Sequence, residues 1–241
     1  MSRLSLPLSL LLLLLAASTA AAQGKANKKP NKDDGFGRFG AQLHFVGDLG
    51  ATLDRTENGT AQAVELDDAT SVAFSFYGLL GILDNVDVGL SLALTPGVTL
   101  ANSSADEFPI GLQTDLDLRA AYKIPFDDAY FELHAEGGLT FLSLDDSHGR
   151  SERDVSLYGP TDRYTQDDTA STGWNFGLGA QLGYEIIPLV RLFGGLDWGL
   201  YEVQIISATD PDPLVPEAER QITVDLSGQR LRLTFGLELA L

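Results

Sequence analysis

The sequence predicts an all-β fold, an eight-stranded antiparallel up-and-down barrel that spans a membrane. Three observations carry this. Apolar and polar residues alternate with period two over segments of roughly 9–15 residues, where a soluble strand runs to about 5–6 and a tilted membrane strand to about 9–11. The connections between segments are short and long in strict turn. The segments number eight, and an even count lets a meander close without leaving a strand edge in lipid.

The chain opens with "MSRLSLPLSLLLLLLAASTAAAQ", a short basic start and an apolar run ending in small residues. Ala20 and Ala22 stand where a signal peptidase expects them before Gln23, so residues 1–22 read as a signal peptide. With Cys 0 in the composition, a lipoprotein anchor, thiol catalysis and Cys-based metal sites are excluded. An exported chain without disulfides is held by packing, hydrogen bonds or membrane insertion. Formal net charge is −18, which excludes nucleic acid as a partner, because phosphates demand Lys and Arg. Residues 23–37, "QGKANKKPNKDDGFG", are polar and Lys-rich and read as a flexible periplasmic leader. The barrel is then expected over 38–241.

The first segment, 39–53, puts Phe39, Ala41, Leu43, Phe45, Gly47, Leu49, Ala51 and Leu53 on one face, against Gln42, His44 and Asp48. In 72–82 the apolar set is Val72, Phe74, Phe76, Leu80 and Ile82; in 86–94 it is Val86, Val88, Leu90, Leu92 and Leu94. Segment 110–124 opposes Ile110, Leu112, Leu116, Leu118, Tyr122 and Ile124 to Gln113, Asp115, Asp117, Arg119 and Lys123. Segment 131–141 opposes Phe131, Leu133, Leu139 and Phe141 to Glu132, His134 and Glu136. Segment 174–186 opposes Trp174, Phe176, Leu178, Leu182, Tyr184 and Ile186 to Asn175, Gln181 and Glu185, and 190–200 opposes Val190, Leu192, Leu196, Trp198 and Leu200 to Arg191 and Asp197. The last segment, "LRLTFGLELAL" (231–241), alternates to its final residue and is expected to close the barrel against 40–49.

Tight turns are expected at 84–85, 125–128 and 187–188, and long loops at 54–70, 95–109, 145–171 and 203–229. A meander then gathers every tight turn at one end. Apolar-face aromatics collect near both strand ends, as two membrane interfaces select. The same alternation also fits a soluble sandwich, and strand length, turn asymmetry, even count and aromatic belts decide for the membrane.

If the apolar face meets lipid, the other face fills the lumen. It carries Asp48, Asp87, Asp115, Asp117, Glu132, Glu136, Glu185, Asp197 and Glu238 with Arg38, Arg119, Lys123, Arg191, Arg230 and Arg232, joined by His44 and His134. An eight-stranded barrel is just wide enough for side chains to fill. Charges taken from water need partners, so a cross-barrel salt-bridge network is expected, with Asp48, Asp87, Asp115, Asp117, Arg119, Glu132, Glu136, Arg191, Asp197, Arg230, Arg232 and Glu238 as its members. A packed plug and a polar pore both remain open at this point.

Catalytic signals are thin. His148 lies beside Ser147 and Ser151 in "DDSHGRSERD" without a nucleophile elbow, and no catalytic residue or cofactor is assigned. The four long loops carry −4, −2, −4 and −4, which reads as solvation or as carboxylates that divalent cations bridge to lipid phosphates. Asn58 and Asn102 head acceptor tripeptides of a kind common by chance.

With its signal, eight alternating segments and terminal amphipathic strand, the chain resembles the small outer-membrane β-barrel superfamily of Gram-negative bacteria. That group includes the OmpA-like transmembrane domain, OmpW-like and opacity-type proteins. The resemblance implies an eight-stranded antiparallel up-and-down transmembrane β-barrel with short periplasmic turns and long external loops, in the bacterial outer membrane. It implies outer-membrane lipids and lipopolysaccharide as surroundings and the barrel assembly machinery as a partner. One departure is the last residue, Leu241, where such barrels usually carry an aromatic. The expected role is structural or in surface interaction. The alternatives are a narrow channel for small or hydrophobic solutes and, behind it, a lipid A-modifying enzyme.

Overall fold

The computed structural model describes residues 37–57, 60–66, 69–101, 107–143, 165–166, 171–187, 189–209 and 221–240. The expected signal peptide and the expected leader up to residue 36 lie outside these residues. Eleven strands form one sheet: β1 (Gly37–Asp48), β2 (Thr52–Glu57), β3 (Thr60–Glu65), β4 (Ala69–Leu83), β5 (Val86–Ala101), β6 (Glu107–Phe126), β7 (Ala129–Ser143), β8 (Thr165–Gln166), β9 (Ser171–Ile187), β10 (Val190–Thr209) and β11 (Gln221–Ala240). The order β1-β4-β5-β6-β7-β9-β10-β11 is antiparallel throughout, and β11 returns to β1, so eight long strands close a barrel. The closing ladder runs from Arg38 opposite Ala240 to Asp48 opposite Arg230, the pairing the sequence predicts. Closure leaves the eight-stranded wall without a free edge strand, as lipid requires.

Turns at Asp84–Asn85, Asp127–Asp128 and Leu189 all lie at one end. Asp127 and Leu189 take positive φ, 42° and 74°, which sharpens these reversals. The outer face of the wall is apolar. Phe74, Phe76, Leu90, Leu118, Leu182, Leu196 and every odd residue from Leu231 to Leu239 are exposed, while Glu238 on the alternate face is 0% exposed. In a soluble protein such a surface is an aggregation hazard; here it is the lipid contact. At about 3.4 Å per residue and a tilt near 40°, the run 231–239 spans roughly 21 Å, most of the about 25 Å of an outer-membrane apolar band.

The structure corrects three expectations. β1 begins at Gly37. The loop expected at 54–70 holds the hairpin β2–β3, with Glu57 opposite Thr60, and β2 pairs with β11. Strands also reach into the other long loops, β5 to Ala101, β6 from Glu107, β10 to Thr209 and β11 from Gln221. Ala51 and Leu53, expected on the lipid face, point inward at 1% and 2% exposure. The cause is Gly50, whose φ of 72° breaks the strand between β1 and β2 and shifts the side-chain phase by one.

This shift belongs to a wider inversion. On β10 the outward residues Leu192 and Leu196 give way to exposed Glu202 and Gln204, while inward Asp197 gives way to buried Tyr201 and Val203. On β11 outward Leu231 gives way to Gln229 and Ser227, while inward Arg230 gives way to buried Leu226 and Val224. On these two strands the outside is apolar and the inside charged below this level, and above it the relation is reversed. The inversion marks the outer surface of the membrane, and Trp174 sits on it, its indole N–H donating to Glu202 at 3.2 Å.

A substitution checks the orientation. Phe235→Arg, at the middle of the β11 lipid face, is expected to lower stability by about 2–4 kcal/mol in a reversible urea titration into lipid vesicles. Ser227→Arg, above the inversion, is expected to stay within about 0.5 kcal/mol.

Candidate functional site

The lumen is the candidate site, built from inward positions of all eight long strands. At the turn end, Arg38 of β1 reaches Glu132 of β7 at 2.5 Å, Asp87 of β5 at 2.6 Å and Glu238 of β11 at 2.8 Å. Glu238 also accepts from the Tyr77 hydroxyl at 2.8 Å and from Arg191 at 3.2 Å. Glu132 accepts from Arg119 at 3.2 Å and from the Gln181 amide at 3.0 Å. Two carboxylates, each 0% exposed, thus hold three arginines from three other strands across the barrel.

Midway lies a chain of neutral and charged groups. The Ser75 hydroxyl donates to Gln42 at 2.7 Å, His44 Nε2 lies 2.7 Å from Ser75, and His44 Nδ1 lies 2.8 Å from Thr234. Thr234 donates to Asp197, whose other oxygen lies 2.7 Å from His134 Nε2.

Nearest the long-loop end, Asp115 binds Arg230 at 3.0 Å and Arg232 at 3.5 Å, and Thr140 and Gln113 donate to it at 2.7 and 2.9 Å. Arg232 also binds Glu136 at 2.8 Å. Of the twelve residues assigned to the network from sequence, ten are joined this way. The other two, Asp117 and Asp48, form no ion pair among the described residues. Asp117 is hydrogen-bonded to Asn175, and Asp48 is hydrogen-bonded to Tyr201.

Sequence reasoning missed the inward aromatics. Arg119 lies over the Tyr77 ring at 4.7 Å, Lys123 over Tyr130 at 4.9 Å and Arg230 over Tyr201 at 4.3 Å. Each inward ring faces a glycine on the neighbouring strand: Tyr77 with Gly40, Tyr130 with Gly183, Tyr201 with Gly228 and Phe193 with Gly236. A Cβ on Gly40 or Gly183 would come within 2.1 Å of the ring. The glycines therefore make room for flat aromatic tiles on the inner wall. Tyr77 shares the parity of Ser75, so its inward aim was readable; its glycine was not, because that needs the register.

Above the inversion the interior is a dry cluster of Ala51, Leu53, Leu66, Leu142, Tyr201, Val203, Val224 and Leu226. On the outside of this part, burial pushes the Asp225 carboxyl up from its ordinary value; a hydrogen bond with Gln204 opposes this, and Glu202 and Asp54 add like charge.

No protein-family model matches the chain, and no curated protein does. Among solved structures it is similar to the outer membrane protein OprG from Pseudomonas aeruginosa, at 16% identity and a TM-score of 0.51 over 86% of this chain and 98% of that one. It is also similar to the outer membrane protein AlkL in lipid bilayers, at 14% identity and 0.46 over 90% and 98%, and to Neisserial surface protein A, at 14% identity and 0.41 over 84% and 97%. This is the fold of the small outer-membrane β-barrels.

In this outer-membrane barrel fold, side chains crowd the lumen among the described residues. Cavities of about 10 Å³ lie between the ion pairs, and each holds one water molecule at most. Among the described residues the groups that nucleophilic catalysis needs are not joined: Ser75 and His44 meet Thr234 rather than a carboxylate, while the His134–Asp197 pair makes no hydrogen bond to a serine. Among the described residues no three of His, Cys, Asp or Glu are placed to hold a metal. The Ser147/His148/Ser151 stretch and the asparagines Asn58 and Asn102 lie outside the described residues, as do most of the loop acids.

Proposed function

We propose that this chain is an ion-sealed barrel of the bacterial outer membrane that anchors an acidic β-structure at the cell surface. The observation that carries this is the cross-barrel network of Arg38, Arg119, Glu132 and Glu238. An ion entering that network would have to part buried pairs, each costly to break. Above the membrane, exposed Asp54, Glu65 and Glu202 give the outer sheet its acidic face. On this reading its surroundings are outer-membrane lipids and lipopolysaccharide, with divalent cations between carboxylate and phosphate.

One observation favours a second reading, a passage for small apolar solutes. The β4–β5 ladder stops at Phe74 opposite Leu94, although β5 runs on to Ala101. Pro96, two residues above, has no N–H to continue it. The wall is thus interrupted where the interior turns apolar, and a solute from outside would leave sideways without crossing the ion pairs. Reconstituted vesicles separate the readings. The anchor reading expects no swelling in small sugars and no gain in uptake of a fluorescent hydrocarbon. Hydrocarbon uptake that Pro96→Val abolishes, by extending the ladder, supports the passage instead.

A further inference from the structure

The order of strands ends at β3 on one side and at β8 on the other, and the two ends are finished differently. β8, Thr165–Gln166, is too short to offer a partner much, which is one way an edge is blunted. β3, Thr60–Glu65, pairs only with β2 among the described residues. Its sequence, TAQAVE, holds neither Lys nor Pro, and its register with β2 runs without a bulge.

The Leu66 N–H donates to Ala51 at 2.9 Å, so Leu66, and with period two Val64, Gln62 and Thr60, turn their backbone groups towards β2. Ala61, Ala63 and Glu65 turn theirs away. Their N–H and C=O groups form the free edge, and all three residues are exposed. Because β2 pairs with β11 from Ile222 to Ser227, above the inversion, this edge stands outside the membrane. A strand added here gains a ladder of backbone hydrogen bonds.

The charge beside the edge selects the strand. One cross-strand row on the outer face runs from Asp225 through Asp54 to Ala63, and another runs through Thr52 to Glu65. Asp225 and Asp54 stand directly opposite, which is unfavourable for like charges. Neither Asp54 nor Glu65 forms an ion pair among the described residues. Between the edge and Asp54 stands only the methyl group of Ala63, low enough for the stem of a Lys or Arg to lie across it. A second copy of this chain, at a formal net charge of −18, would bring more acid to the same place.

We propose that β3 is a docking edge for an extended basic segment of another protein, which adds a strand beside Ala61–Glu65 and lays Lys or Arg side chains over Asp54 and Glu65. This rests on the reading of an acidic β-structure held at the cell surface, and it names the partner of that structure. The backbone ladder supplies affinity, and the carboxylates reject an acidic strand.

The test uses the full protein in lipid nanodiscs and two fluorescent peptides, one alternating Lys with Val and one alternating Glu with Val, followed by anisotropy. The Lys-Val peptide is expected to bind saturably and to slow hydrogen exchange at the Ala61 and Ala63 amides; the Glu-Val peptide is expected not to bind. Asp54→Asn combined with Glu65→Gln is expected to weaken binding about tenfold, as two exposed pairs are lost. Ala63→Pro removes an edge N–H that β2 does not use, and is expected to abolish binding while leaving the heat-modified gel shift unchanged. A Lys-Val peptide N-methylated at alternate residues loses the same ladder without any change to the protein, and is expected not to bind. Equal binding of the two charge types, binding that survives both Ala63→Pro and N-methylation, no binding at all, or self-association that Ala63→Pro disperses overturns the inference. Cutting of the β2–β3 hairpin in the unsubstituted protein by external protease overturns the surface structure beneath it, a separate outcome.

Discussion

Glu132→Gln is expected to destabilise the barrel by about 3–5 kcal/mol, the cost of leaving buried charge uncompensated. Glu132 is 0% exposed and lies 2.5 Å from Arg38 and 3.2 Å from Arg119, with Gln181 donating at 3.0 Å. The amide keeps the shape of the side chain but removes the charge that two guanidiniums share. Reversible urea unfolding in lipid vesicles measures the loss. Glu132→Gln combined with Arg119→Gln should cost less than the two single changes summed, because the second removes a stranded charge. Glu185→Gln is the control. Its side chain is 40% exposed and 3.7 Å from Arg191, so the expected effect is within about 0.5 kcal/mol.

Leu226→Asp is expected to unfold the outer part while sparing the membrane part. Leu226 is 2% exposed among Leu53, Leu66, Val203 and Val224, where a carboxylate meets no donor. Burying it unpaired costs several kcal/mol. β2 pairs with β11 from Ile222 to Ser227, so the loss should release that hairpin and the upper ends of β10 and β11. Protease added outside vesicles should then cut between residues 52 and 66, which the native protein resists, while the heat-modified gel shift persists. Ser227→Asp, one residue along on the outer face, should leave the digestion pattern unchanged. Equal sensitivity at 226 and 227 would deny the inversion of faces.

Much of this architecture was legible because a membrane strand obeys one rule along its length. Phe74, Phe76 and Leu80, or Leu231, Leu233 and Phe235, keep one parity, and that parity names strand and face together. The lumen charges followed as the residues left over, which is why Arg38, Glu132 and Glu238 were assigned before any distance was known. Their pairing was not legible, since Arg38 and Glu132 lie on strands that are not neighbours. The outer part was misread for a physical reason. On β10 the apolar parity passes from Leu196 to Val203 as the solvent changes sides, so one long strand looks like a strand that ends. The hairpin at Glu57–Thr60 carries its signal in Asn58-Gly59, a two-residue turn sequence, but that signal stands among acids that read equally as a loop.

The central claim is that buried ion pairs seal the lumen, and single-channel recording in planar bilayers tests it most directly. Purified, folded protein inserted in symmetric salt should show no stepwise ion current, and Glu132→Gln should be the first variant to flicker. Reproducible discrete openings from the unsubstituted protein, unchanged by Glu132→Gln, would contradict the account.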